Sequence, residues 1–131
     1  MSNNLRMSES QLAAYEAGKR AAKEKPLVAP ERDQLSACMD YLAMHSAVAW
    51  HVRMNSGAMK TEEGRYVRFG FVGCSDIIGQ LKSGKFLAFE VKRKGEKPTD
   101  DQLAFIAKVN LYNGLGGWGT IDDLMSMMVG L

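Results

Sequence analysis

The residues of this chain best suited to chemistry are Asp76 and, fourteen positions later, the triplet Glu90-Val91-Lys92. Positions i and i+2 of a strand share a face, so Glu90 and Lys92 point one way while Leu87, Phe89 and Val91 point the other. Phe86-Leu87-Ala88-Phe89 has the apolar character of a central strand, where an unpaired charge is costly. Alone, Glu-x-Lys is equally a weak ion pair on the wet face of an edge strand. Asp76 shifts that balance. It directly precedes Ile77-Ile78, and a hairpin closed at Ser83-Gly84 can bring it alongside Glu90. Glu31 is a third carboxylate, four residues before Leu35, seven before Cys38 and eleven before Leu42, on the apolar stripe of a helix at its first turn. There it either complements the helix dipole or aims at the sheet. Three convergent carboxylates and a lysine would hold a hard divalent cation, Mg²⁺ or Mn²⁺, and assist phosphodiester hydrolysis. The cation polarises the phosphoryl oxygen and acidifies water, while the lysine positions that water or steadies developing negative charge.

Other motifs read as structure. Gly114-Leu115-Gly116-Gly117-Trp118-Gly119 matches G-x-G-x-x-G by letter, but it follows a helix and lacks an acidic residue at the required distance. Gly114 reads instead as a helix C-cap. His45, His51, Cys38 and Cys74 match no structural zinc spacing, and no nucleophile elbow occurs.

These residues need elements to position them. Ser8-Glu9-Ser10-Gln11 is a capping box that predicts an Ala-rich helix to about residue 25, an N-terminal arm set off by Pro26 and Pro30. The remainder, residues 26–131, reads as one domain. A second helix is expected from about Pro30 to His45, with Leu35, Cys38 and Leu42 on its stripe. Val48, Trp50, Val52 and Met54 alternate as a strand that Asn55-Ser56-Gly57 ends. A second strand, broken near Gly73, is expected within 66–81, and a third over Phe86 to Lys92. Thr99-Asp100-Asp101-Gln102 is another capping box, opening a helix to about Tyr112. A short strand over 118–121 and a helix over 122–128 complete the order α-α-β-β-β-α-β-α. The expected fold is α/β, a small mixed sheet with Glu31's helix on one side and Gln102's helix behind it.

Composition agrees with a globular domain: among 131 residues 46% are apolar and 24% charged, which excludes wholesale disorder, collagen and coiled coil. No apolar run approaches the roughly 18 residues of a membrane helix, and the start is not signal-like. With two cysteines and no CxxC spacing, a cytoplasmic location and no membrane partner are expected. The net charge is only +2, but residues 60–97 hold nine Lys or Arg against five Asp or Glu. That fits a polyanion partner, or simply a solvated surface. Arg53, Lys60, Arg65, Arg68, Lys94 and Lys97 flank the candidate site and are expected to contact DNA phosphates. Arg53 could instead pack its stem on Trp50 or Met54.

The stretch GRYVRFGFVGCSDIIGQLKSGKFLAFEVK, 64–92, closely resembles the VRR-NUC domain of the PD-(D/E)XK nuclease superfamily. The resemblance begins at Glu31 with its helix ending in Asp40-Tyr41-Leu42. It continues through Trp50 to Gly57, WHVRMNSG, and ends near Lys94-Gly95 and Gln102. It implies a restriction-endonuclease-like core in which Glu31, Asp76 and Glu90, with Val91, bind metal. Lys92 would be the catalytic lysine and Gln102 a motif glutamine near the site. Ser75 stands where the superfamily has proline, and Gln34-Leu35 where many relatives have an aliphatic residue followed by glutamine. Stand-alone members are phage-type proteins in bacterial hosts. Cutting both strands of a branched DNA takes two sites, which a twofold homodimer supplies.

The expected function is therefore a Mg²⁺- or Mn²⁺-dependent DNA endonuclease, structure-selective for branched DNA such as four-way (Holliday) junctions. Its rivals are a non-catalytic nucleic-acid-binding subunit of a larger assembly and a purely structural phage protein.

Overall fold

Strand alternation and two capped helix starts organise most of this chain. The computed structural model describes residues 8–24, 30–54 and 57–131. Its elements are α1 (Glu9–Glu24), α2 (Glu31–Met44), β1 (Val48–Arg53), β2 (Gly57–Lys60), β3 (Tyr66–Phe69), β4 (Ile77–Leu81), β5 (Phe86–Val91), α3 (Asp100–Leu111), β6 (Leu115–Gly119) and α4 (Ile121–Met127). The linker at Pro26 and the turn at Asn55-Ser56 lie outside the described residues.

The protein is mixed α/β. Four strands form one sheet in the order β1-β4-β5-β6, and β2 and β3 form a separate hairpin. β1 with β4 and β4 with β5 are antiparallel; β5 with β6 is parallel, connected through α3. One face of this sheet is the main core. There Ile77 and Leu81 of β4 and Leu87, Phe89 and Val91 of β5 meet Cys38 and Leu42 of α2 and Leu124 of α4. Gln34 reinforces that layer, because its side-chain oxygen accepts the Ile121 N–H at 2.9 Å and so ties α2 to the start of α4. On the opposite face α3 covers β5 and β6 through Ile106 and Val109. Trp50 and Val52 of β1 remain exposed on that side.

Two expectations about elements need correction. Between β1 and β5 there are three strands rather than one broken strand, since 57–60 pair with 66–69 in register Lys60↔Tyr66. The sequence GAMK has no alternation to announce a strand; its partner across the Gly64 turn makes it one. The last strand begins at Leu115, three residues before its expected start. Its glycines are poor strand formers, yet bulkier residues would not fit. A Cβ on Gly117 would stand 2.6 Å from Met127 Sδ, and one on Gly116 would stand 3.2 Å from the Ile106 carbonyl oxygen. The left-handed residue that ends α3 is Asn113 (φ 66°), not Gly114.

Gly79 is also a steric requirement. The register of β1 against β4 shifts between Val48 and Trp50. A Cβ on Gly79 would strike the Trp50 carbonyl oxygen and lie 3.1 Å from His51 Cα, both of them backbone. Gly79→Ala should therefore destabilise the fold by about 1–3 kcal/mol, the cost of overpacking that cannot relax. Urea unfolding at constant m-value checks this; an unchanged midpoint would contradict it.

Candidate functional site

The β4–β5 hairpin builds the site. Its turn closes with the Gly84 N–H on the Leu81 carbonyl at 2.8 Å and the Leu81 N–H on the Lys85 carbonyl at 2.9 Å, and Gly84 takes φ 95°. The pairing Ile77↔Phe89 that follows places Asp76 across from Glu90. The two residues then interlock. The Asp76 N–H donates to Glu90 Oε2 at 3.1 Å, and the Val91 N–H donates to Asp76 Oδ2 at 2.9 Å. Each carboxylate thus satisfies a backbone donor of the opposite segment.

Glu90 is 2% exposed on a central strand. Its second oxygen, Oε1, accepts the Gln102 side-chain amide at 2.9 Å and lies 3.5 Å from Lys92 Nζ. Burial pushes the Glu90 carboxyl up to about 7; the charge of Asp76 and a hydrogen bond between the two side chains add to the rise, and Lys92 opposes it.

Gln102 does both of the jobs its sequence suggested. Its Oε1 accepts the Thr99 N–H at 2.8 Å, and Thr99 Oγ1 accepts the Gln102 N–H at 3.2 Å, which completes the capping box. Its other end, Nε2, reaches Glu90. One amide therefore both starts α3 and orients the buried carboxylate.

Glu31 is not brought to this pair. It is the exposed first residue of α2, and among the described residues no three His, Cys, Asp or Glu side chains gather where they could hold a metal. The reason is its place along the helix. α2 enters the core at Cys38, whose thiol is raised to about 12 by burial and then by the Asp76 charge. Glu31 lies seven residues earlier, about two turns or roughly 10 Å away along the axis. Cys74 is also buried, and its thiol is pushed up by burial and by Glu90 and Asp76. The cysteines are core neighbours of the carboxylates. Ser75, between Cys74 and Asp76, is fully buried with its hydroxyl unpartnered. The Val91 side chain is in the core, so only its backbone could serve a ligand.

The six basic residues stand on two connections that leave the sheet at the carboxylate end. Arg53 ends β1 opposite Ile77, Lys60 and Arg65 are exposed on the β2–β3 hairpin, and Lys94 and Lys97 are exposed between β5 and α3. Arg68 lies on β3, and its side chain is outside the described residues. One neighbour of the site escaped sequence reasoning: Trp118 of β6 pairs with Glu90. Parallel pairing across a crossover leaves no local signal in the sequence.

No protein-family model and no curated protein matches the chain. Among the described residues no helix is long and apolar enough to cross a membrane.

The raised Glu90 carboxyl makes stability depend on pH with a definite sign. The native state binds this proton more tightly than the unfolded chain, whose carboxyl has its ordinary value of 4.5. Its contribution is complete below about 4.5 and is lost as pH rises through about 7. Unfolding in chelator-containing buffer should show stability falling across that window, and Glu90→Gln should flatten the fall. An identical slope in Glu90→Gln would remove Glu90 as its source.

Proposed function

We propose that this chain is a divalent-metal-dependent DNA endonuclease of the VRR-NUC type with a restriction-endonuclease-like core. It cuts branched DNA such as four-way junctions and acts as a homodimer in the cytoplasm of a bacterial host, as a phage-type protein. The observation that carries the reading is the interlocked Asp76–Glu90 pair with the Lys92 ammonium 3.5 Å from Glu90 on the same strand face.

The donor set suits Mg²⁺ or Mn²⁺. Asp76 and Glu90 offer carboxylate oxygens and the Val91 carbonyl a third hard donor, whereas the nearby thiols are buried and held protonated. A buried carboxyl that keeps its proton well above the ordinary carboxylate range, as Glu90 does, is a place where a cation replaces that proton. When bound, such a cation supplies Lewis acidity toward the phosphoryl oxygen and the attacking water. The remaining work belongs to the chain. Gln102 holds Glu90 in one rotamer, and the Val91 N–H does the same for Asp76. Lys92, 16% exposed in its side chain, presents a compact positive charge at the mouth of the site, where it can steady charge developing on the phosphate. The basic residues of the two flanking connections would hold the DNA backbone.

Labelled duplex, flap, splayed-arm and four-way junction substrates incubated with Mn²⁺ test the reading. Asp76→Asn keeps an acceptor for the Val91 N–H, whereas Asp76→Ala would orphan that donor and confuse lost fold with lost catalysis. Asp76→Asn and Lys92→Ala should each lower cleavage about a hundredfold or more while preserving the thermal transition. Lys92→Arg should recover little, because a broad planar guanidinium does not replace a point charge. A folded Asp76→Asn protein cutting at the wild-type rate would sink the assignment.

Arg53→Ala and Lys94→Ala, each in an Asp76→Asn background, should weaken DNA binding and each lower the log–log salt slope by about one unit. Unchanged affinity and slope in both would place the DNA elsewhere.

A further inference from the structure

We propose that Trp118 stacks against an unpaired nucleobase beside the scissile phosphate and thereby makes the site prefer branched over fully paired DNA. This rests on the nuclease reading above and adds a source for its selectivity.

Three observations converge on Trp118. In the parallel pairing of β5 with β6 it is the residue opposite Glu90, one strand spacing away, about 5 Å. Its direction follows from its glycine neighbours. A Cβ on Gly117 would stand 2.6 Å from Met127 Sδ, on the α4 side, whereas a Cβ on Gly116 would stand 3.2 Å from the Ile106 carbonyl oxygen, on the α3 side. Alternation therefore places Trp118 with Gly116, on the face that carries Glu90, Lys92 and Gln102. Finally, Trp118 is left 39% exposed beside Glu90, itself 2% exposed, on the strand that forms the sheet edge.

A nucleobase is one sugar away from its own phosphate. With the phosphate at Lys92, a flanking base comes within reach of an aromatic on the adjoining strand. Stacking needs a base free of its duplex neighbours, which a splayed arm or a junction offers and an intact duplex does not. The competing role for Trp118 is an apolar cover that keeps water from Glu90. Leucine would keep that cover and lose the π-face, and phenylalanine would keep both.

Trp118→Leu and Trp118→Phe should be assayed with Mn²⁺ on splayed-arm and blunt duplex DNA. Trp118→Leu should raise KM for the splayed arm about tenfold and narrow its preference over duplex by the same factor, and Trp118→Phe should recover most of the loss. Wild-type KM in Trp118→Leu would overturn stacking. So would an equal loss on both substrates accompanied by a shifted Glu90 pH window, which is the mark of a cover. A direct readout requires neither a Trp118 substitution nor cleavage. Trp50→Phe leaves Trp118 as the sole tryptophan, and its fluorescence in chelator should be quenched by an unstructured thymidine oligonucleotide and not by the blunt duplex. No quenching, or equal quenching by both, overturns the proposal. Wild-type protein that cuts none of the substrates strikes at the nuclease reading instead, and the two failures are thereby told apart.

Discussion

Glu90 is an ionisable group with almost no exposed surface on a central strand, and the local structure is arranged around satisfying it. A buried carboxyl needs hydrogen-bond donors and a compensating charge, and it finds them on three segments. The Asp76 N–H comes from the entry to β4, the amide of Gln102 from the first turn of α3, and the Lys92 ammonium from just past β5. Both hydrogen-bond donors are themselves pinned. Asp76 is held by the Val91 N–H, and Gln102 by the Thr99 capping box. The result is a closed loop of constraints in which helix start, hairpin register and carboxylate orientation depend on one another.

The same arrangement creates the electrostatic tension that makes the site chemically interesting. Burial, and then the neighbouring charge of Asp76, hold the proton of the Glu90 carboxyl to about 7. A stability-driven design would replace such a pair with apolar residues. Its presence, with a lysine on the same face, is the kind of local conflict that marks functional sites.

The apolar layer beneath does the opposite work. Cys38, Leu42, Phe89, Leu87 and Leu124 are well buried and carry no charge, so β5 is held from one face while its other face carries Glu90. The glycines of β6 belong to this packing rather than to any phosphate loop. Gly116 lets the strand pass close to α3, and Gly117 lets it pass close to Met127.

What the sequence determined alone was whatever depends on neighbours within a few positions. Alternation along Phe86 to Lys92 assigned Glu90 and Lys92 to one face and the core residues to the other. The Thr99 and Ser8 capping boxes marked two helix starts, and the Leu35-Cys38-Leu42 stripe marked the buried side of α2. The Ser83-Gly84 turn was legible enough to bring Asp76 to Glu90. Tertiary structure decided the rest, because register and helix placement are set by contacts between distant segments. It left Glu31 outside, since α2 enters the core only two turns further on, at Cys38. It made a strand of 57–60, whose own residues carry no strand pattern, by supplying 66–69 as partner. It joined the two roles of Gln102 in one side chain and placed Trp118 beside Glu90. Periodicity tells which way a residue faces, but only the packed chain determines what it faces.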